Sequence, residues 1–409
     1  MPGHVILERM FCIWYIPHMQ RTIRVLLEPS PVQADALAET SRQFTAVFNA
    51  VCAVGWQHGQ KNGVELHRAL YYPLKADYPA LVSDLHVQAR VKATEALKSA
   101  LALRRKYERE QIERKVSQPH SHTCPPRYNV HTFRIDWESR TVNLSTTSGR
   151  QTIRFTLPAY AAKYAGCATD TADMIFSGGW WWLHVVVTVL SPEVEPTNQV
   201  VGVDLGLARP AVTSTGRFLG KRRWKAIEGR LFHLRRKLQQ KGTRSAKRHL
   251  RKVRRKQARF RRDCDHVLSK QIVESVEMGG TVVLENLKDI RRRVKAKRKT
   301  ETKRRIHSWS FAQLKSFIAY KAEERGLTVV AVDPRHTSQA CSRCGHTART
   351  SRRSRGWFCC QACGFSLHAD LNAARNIAAK YHAGGSTAPA GGLRVNQPIV
   401  STPPLRRRE

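Results

Sequence analysis

Val200-Val-Gly-Val-Asp204-Leu-Gly206 is the stretch on which the reading of this chain turns. Its valines favour extended backbone, and an aspartate followed by glycine closes the strand. Two later stretches repeat the plan. Val282-Val-Leu-Glu285-Asn-Leu287 ends a buried apolar run on Glu285. His368-Ala-Asp370-Leu-Asn-Ala-Ala-Arg-Asn376-Ile377 sets Asp370 at the start of a helix over 371–380. Taken singly, Asp204 and Glu285 read as residues of turns and Asp370 as an N-cap. Taken together, in a chain poor in acids, they read as a site. Three carboxylates brought together by a fold can hold two divalent cations, and two cations about 3.5–4 Å apart drive phosphodiester hydrolysis.

The charge names the partner. Lys and Arg total 71 against 31 for Asp and Glu, a net charge of +40 over 409 residues. Such a balance repels itself unless phosphates neutralise it, so the chain reads as a nucleic-acid binder. Histones and ribosomal proteins bind nucleic acid without chemistry, but they rarely carry an α/β core of this size. No sustained amphipathic stretch and no apolar run of about 18 residues points to a membrane. Acidic Glu8 and the lack of a cleavage site argue against reading Phe11 to Ile16 as a signal peptide. Met19 is an alternative start.

Ten cysteines invite a disulfide reading, and their spacing argues otherwise. Cys341, Cys344, Cys359, Cys360 and Cys363 crowd one segment, while Cys12, Cys52, Cys124, Cys167 and Cys264 are scattered. Cys341-x2-Cys344 and Cys360-x2-Cys363 are spaced as the two knuckles of a zinc ribbon, with Cys359 to spare and His346 and His368 weaker candidates. Four thiolates leave zinc no open position, so one structural ion is expected rather than a catalytic one. The scattered cysteines read as free thiols in a reducing compartment. His120, His122 and Cys124 alternate in a loop without a fourth ligand and read as solvated.

The rest of the chain divides by pattern. Arg21–Glu28 alternates as a strand that Pro29 and Pro31 stop, and two helices follow, over about 32–57 and 84–110. Their inward faces are Leu37, Phe44, Phe48 and Val51, and Ala89, Ala93, Leu97 and Leu101. Short strands, Thr132–Trp137, Thr141–Leu144, Thr152–Leu157 and Trp181–Leu190, then suggest a β-barrel interrupted by this two-helix insert. Trp180, Trp181 and Trp182 could stack on bases, but two of the three are expected simply to seal the barrel. From 200 onward a hairpin (200–204, 211–214, 217–219) precedes helices over 221–239 and 244–262, a strand over 281–284, a helix over 309–325 and a strand over 328–332. That order fits an RNase H-like α/β layer. The second helix is densely cationic. Arg244, Lys247, Arg248, Arg251, Arg254, Arg255 and Arg259 are expected to contact phosphate, since almost no acids intersperse them.

Gly202-Val-Asp204-Leu-Gly206, Leu284-Glu285-Asn-Leu, Thr337-Ser-Gln-Ala-Cys341-Ser-Arg-Cys344-Gly, Cys360-Gln-Ala-Cys363-Gly and Asp370-Leu-Asn372-Ala-Ala-Arg-Asn376-Ile resemble the TnpB transposon-encoded nucleases and the small type V CRISPR effectors. The motifs cover about 200–380. The resemblance implies an α/β multidomain chain. Its parts would be an N-terminal extension (1–18), a wedge-like β-barrel (19–30 and 124–199) and a helical recognition insert (31–123). A RuvC-like, RNase H-like nuclease domain (200–336 and 366–382) would carry a zinc-binding element (337–365), with a disordered tail (383–409). It puts two Mg²⁺ on Asp204, Glu285 and Asp370, and one Zn²⁺ on Cys341, Cys344, Cys360 and Cys363. The basic tract 291–305 would gate the nuclease site. His368 stands where many relatives carry a further Asp.

The function implied is an RNA-guided DNA endonuclease, binding a structured guide RNA, a short target-adjacent motif and target DNA, in the prokaryotic cytoplasm at the nucleoid. A homodimer is left open. Rival readings are a nuclease-dead RNA-guided repressor, whose signature would be a missing acid, and a transposase or resolvase that acts without RNA.

Overall fold

The computed structural model describes residues 18–207, 209–221, 223–287, 306, 310–354, 356–384 and 386–389. They form two compact units, His18–Leu190 and the part that follows from Ser191.

The first unit is a near-closed antiparallel sheet carrying helices. Its strands are β1 (His18–Glu28), β2 (Arg127–Tyr128), β3 (Phe133–Asp136), β4 (Thr141–Thr146), β5 (Gly149–Thr156), β6 (Ala168–Ser177) and β7 (Trp180–Leu190). Their order is β2-β6-β7-β1-β5-β4-β3. No ladder joins β2 to β3 among the described residues, so the expected barrel is not closed by hydrogen bonds. The insert holds α1 (Pro31–Gln57), α2 (Gly63–Asp77) and α3 (Ser83–Arg109), three helices rather than two. Helix α1 starts where the sequence says, with Pro31 in its first turn and a capping box between Ser30 and Gln33. Helix α2 escapes a pattern reading because it opens on Gly63 and contains Pro73, yet it buries Leu66 and Leu74 against the same core. Strand β6 escapes because a register shift between Thr169 and Ala172 breaks its alternation. Trp181 is buried, whereas Trp180 is 60% exposed.

The second unit is a layered α/β structure. Its elements are β8 (Val200–Asp204), β9 (Ala211–Thr213), β10 (Phe218–Leu219), α4 (Arg223–Lys241), α5 (Arg244–Glu274), β11 (Thr281–Glu285), α6 (Phe311–Glu323), β12 (Thr328–Val332), β13 (Trp357–Cys359), β14 (Ser366–His368), α7 (Ala369–His382) and β15 (Ser386–Pro389). The sheet order is β10-β9-β8-β11-β12-β15. Strands β8, β11 and β12 are parallel, and β9, β10 and β15 run antiparallel to their neighbours. The central strands are continuous apolar runs because both faces are covered. Val201, Val203, Val282 and Leu284 pack with Leu268 and Ile272 of α5 and Leu314 and Ile318 of α6. Val283 and Val332 pack with Ile377 of α7.

Two expectations change here. Helix α5 runs twelve residues past the expected end at 262, because its second half buries Leu268, Ile272 and Val273 under the sheet after the cationic half leaves off. The expected disordered tail begins with β15, which pairs along β12 and gives that strand's edge a partner. The basic tract 291–305, residues 1–17 and residues 390–409 lie outside the described residues.

Candidate functional site

The register of the central strands makes the site. In the parallel pair β8 and β11, Val203 lies opposite Leu284, so Asp204 and Glu285 end adjacent strands side by side. Carboxyl ends of parallel strands are where open α/β sheets bind ligands. Asp204 shares its face with Gly202, two residues back, and that face receives α7. A Cβ on Gly202 would come within 2.2 Å of the Ala374 carbonyl oxygen and 2.5 Å of the Ala378 nitrogen. Only glycine lets α7 lie this close, and α7 carries Asp370 in its first turn.

Electrostatics follows from this crowding. Burial, with the neighbouring carboxylates Glu285 and Asp370, pushes Asp204 up to about 8, against a smaller opposing pull from Arg352. Burial also raises Glu285, opposed by the hydrogen bond from Thr337 and by Lys380. Thr337 Oγ1 donates to Glu285 Oε1 at 2.6 Å, and Arg352 Nη2 lies 3.4 Å from Asp370 Oδ1. Asp204 has no hydrogen-bond or ion-pair partner among the described residues. The carboxylate oxygens are hard donors of the kind Mg²⁺ takes, and a divalent cation would offset both the desolvation and the like-charge repulsion that raise Asp204. The three acids are not drawn together as tightly as the cysteines are.

Cys341, Cys344, Cys360 and Cys363 bring four Sγ atoms within 4.8 Å of one another. Cys341 and Cys363 are 3.8 Å apart, and Cys344 and Cys360 3.6 Å. A tetrahedron with Zn–S of about 2.3 Å has an edge of about 3.8 Å, so the quartet could hold zinc. These separations are far beyond a disulfide bond of about 2.05 Å. The two knuckles are built alike. Gly345 N donates to Cys341 O and Gly364 N to Cys360 O, with φ of 75° and 68° at the two glycines. Both turns need the left-handed conformation that glycine alone adopts freely. Cys359 stands outside the quartet, and Cys52, Cys124, Cys167 and Cys264 are free thiols.

Several residues that the motifs quoted without a role connect cysteines to acids. Asn372 and Asn376, one turn apart on α7, are both buried. Asn372 Nδ2 donates to Ala340 O at 2.7 Å and its Oδ1 accepts from Ser342 N at 3.0 Å. Asn376 Nδ2 donates to Thr337 O and Ala340 O. Buried amides must find partners, so two Asn at helical spacing among alanines were a legible sign of a clamp. His368 Nδ1 accepts from Asp370 N at 3.2 Å and caps α7. No such sign marks Arg352, whose partner depends on how the cysteine segment folds.

Arg244, Lys247, Arg248, Arg251, Arg254, Arg255 and Arg259 are all exposed along the first half of α5. The buried stripe of that half is Ala246, Val253 and Gln257. None of the seven cations has an ion-pair partner among the described residues. Among the described residues no helix is long and apolar enough to cross a membrane.

Residues 311–377 match the Cas12f1-like TNB domain, and residues 184–291 match OrfB_IS605, described as "Probable transposase". The chain is 40% identical to the CRISPR-associated endodeoxyribonuclease Cas12f1 of Sulfoacidibacillus thermotolerans over 128 residues, which is 31% of this chain and 28% of that one. It is 32% identical over 227 residues to the "Putative RNA-guided DNA endonuclease InsQ" of Escherichia coli (strain K12), or 51% of this chain and 55% of that one. The matches thus span between about a quarter and just over half of these relatives' length. The cryo-EM structure of the Cas12f1-sgRNA-target DNA complex shares the fold, with a TM-score of 0.53 at 15% identity, covering 88% of this chain and 99% of that one. The resemblance carried by the motifs is therefore shared by two family models and by relatives of both the Cas12f and the TnpB kind.

Proposed function

From a chain whose relatives are Cas12f1 and TnpB-like proteins, we propose an RNA-guided DNA endonuclease of RuvC type. One observation carries the proposal: the carboxylates of Asp204 and Glu285 end adjacent parallel strands beneath the helix start that bears Asp370. In this reading residues 200–336 and 366–382 form the nuclease domain and 337–365 its zinc element. Residues 19–30 and 124–199 form the wedge, and 31–123 form the recognition insert. Asp204, Glu285 and Asp370 would hold Mg²⁺, which supplies an activated water and stabilises the leaving oxygen. Thr337 aims Glu285 through its hydroxyl, and His368 fixes the first turn that presents Asp370. Arg352 offsets the negative charge of the trio until a cation and a phosphate share the site. Base pairing with a guide RNA would supply the sequence choice, while protein contacts follow the backbone and a short target-adjacent motif.

The direct test is the purified chain itself. A discrete RNA should co-purify, and DNA complementary to it should be cut in Mg²⁺ and spared in EDTA. Cutting that ignores RNase treatment would overturn the guided reading and favour a transposase or resolvase.

The raised Asp204 predicts a pH dependence. With its value near 8, Asp204 keeps its proton at neutral pH, and a metal must displace it. Mg²⁺ affinity should climb by up to about tenfold per pH unit below that value and level off above it. The stability of the metal-free chain runs the other way. A carboxyl whose folded value lies above its unfolded value of about 4 binds more protons when folded between the two. Stability therefore falls as pH rises from about 4 to about 8. Melting at about pH 6.5 and about pH 8.5, with and without Mg²⁺, checks both signs. A Mg²⁺ stabilisation independent of pH would contradict the assignment.

The cationic half of α5 predicts a salt effect. Its side chains carry charge with few groups that read bases, so they should contact phosphate. Arg251→Ala, Arg254→Ala and Arg255→Ala together should weaken all target sequences about equally. Every guanidinium taken away from a phosphate should make the slope of log affinity against log salt shallower by roughly one unit or less. An unchanged slope would make the helix a solvated face.

A further inference from the structure

An aromatic strip stands open beside the three acids. Asp204 lies opposite Val212 across β8 and β9, and Val212 lies opposite Phe218 across β9 and β10. Directly opposed residues share a face, and neighbouring strands are about 4.8 Å apart. Phe218 therefore stands roughly 10 Å from Asp204 on the same side of the sheet. Its ring meets His368 edge to face at 4.9 Å, and the Arg209 guanidinium lies 4.9 Å from its centroid. His368 in turn caps the helix turn of Asp370 and pairs across β13 and β14 with Trp357. The strip thus runs from Phe218 through His368 to Trp357, with Asp370 two residues beyond His368.

Both ends of the strip face water. Phe218 is 43% exposed and Trp357 52%, whereas Phe358, next along β13, is fully buried. The hydrophobic demand of this small segment is met by Phe358 and leaves Trp357 over. Open aromatic rings interleaved with guanidinium groups, here Arg209 and the exposed Arg217, are the composition on which unpaired bases stack. Bases within a duplex are already covered on both faces, so the occupant must be a single strand.

We propose that Phe218 and Trp357 stack unpaired bases of a DNA strand next to its reacting phosphate and thereby hold that phosphate over Asp204, Glu285 and Asp370. The proposal rests on the nuclease reading above and adds the residues that seat its substrate.

The test uses the full chain with its co-purified RNA and a single-stranded DNA oligonucleotide carrying 5-iododeoxyuridine. With Mg²⁺ omitted and no chelator added, so that zinc is retained, ultraviolet light should crosslink the halogenated base to Phe218 or Trp357, located by mass spectrometry. The double variant Phe218→Leu, Trp357→Leu keeps apolar bulk but no ring. It should lose the crosslink and bind the strand roughly 5- to 100-fold more weakly. Its salt slope should stay unchanged, since no phosphate contact is removed. The ring-preserving pair Phe218→Tyr, Trp357→Phe should restore most of the affinity, which separates stacking from a folding defect. Crosslinks confined to other residues, or a leucine variant that binds and cuts like the parent, would overturn the proposal while leaving the nuclease standing. A parent chain that neither binds nor cuts DNA would overturn the nuclease reading, and this inference with it.

Discussion

Asp204→Asn is expected to abolish Mg²⁺-dependent DNA cleavage and, at the same time, to leave the chain as stable as the parent or more so. The two effects have one cause. Asp204 is half-buried, has two carboxylates for neighbours and finds no side-chain hydrogen-bond or ion-pair partner among the described residues to offset its desolvation. An amide of the same shape is neutral without taking up a proton, so the cost of keeping Asp204 protonated at neutral pH beside Glu285 and Asp370 goes with it, and no cavity opens. The missing metal ligand should cost cleavage at least on the order of 10²–10³-fold, as removal of a single preorganised stabilising group does elsewhere. A relief of roughly 1 kcal/mol would raise Tm by about 2–4 °C in a unit of this size. Binding of the guide RNA and of DNA should persist, because in the proposed function the acids would hold a metal rather than the bulk of the nucleic acid. Glu285→Gln and Asp370→Asn should abolish cleavage as well, without the stability gain. Each of those acids has a partner, Thr337 and Arg352, that would be left behind. Undiminished cutting by Asp204→Asn would remove the acid trio from the mechanism.

That contrast also marks how far the sequence could be read. The strands that end on Asp204 and Glu285 were legible because burial on both faces writes them as unbroken valine-rich runs. The helix that bears Asp370 was legible from its alanines, although His368 rather than Asp370 supplies the cap. The cysteine pairs were legible from spacing alone, since a knuckle is a local structure. What escaped depends on contacts far apart in sequence or on broken patterns. Arg352 reaches Asp370 only after the cysteine segment has folded back on α7. Thr337 meets Glu285 across 52 residues. Strand β6 hides behind a bulge, and α2 hides behind Gly63 and Pro73. The far half of α5 was missed because the cationic run before it dominates the composition, while the burial of Leu268 and Ile272 is set by the sheet they pack on. The open ring of Phe218 could not be told from a core residue without knowing which face of β10 meets water.

Removing zinc is expected to disable the acids without unfolding the sheet. The cysteine segment has almost no core of its own. Its buried cluster is Cys341, Phe358, Cys360 and Ala369, with Phe365 partly buried against it. So small a cluster cannot offset the ordering of the chain from Thr337 to Phe365, and structural zinc sites contribute roughly 10–16 kcal/mol of apparent binding energy to folding. The segment is also the scaffold of the site. Thr337, at its start, holds Glu285, and Arg352, in its middle, faces Asp370. Asn372 and Asn376 fasten it to α7 through Ala340, Ser342 and Thr337. Cys363→Ser should therefore lower the zinc content below the one ion per chain expected of the quartet and expose residues 337–365 to amide hydrogen exchange. Cleavage should fall with it, while β8 and β11 keep the protection that their two-sided burial confers. Cys359→Ser, outside the quartet, should leave zinc, exchange and cleavage close to those of the parent. Equal loss of protection in β8 and in the cysteine segment would mean that zinc holds the whole unit together. Full cleavage by a zinc-free chain would mean that Thr337 and Arg352 stay in place without it, and the cysteine quartet would then have no part in shaping the acid site.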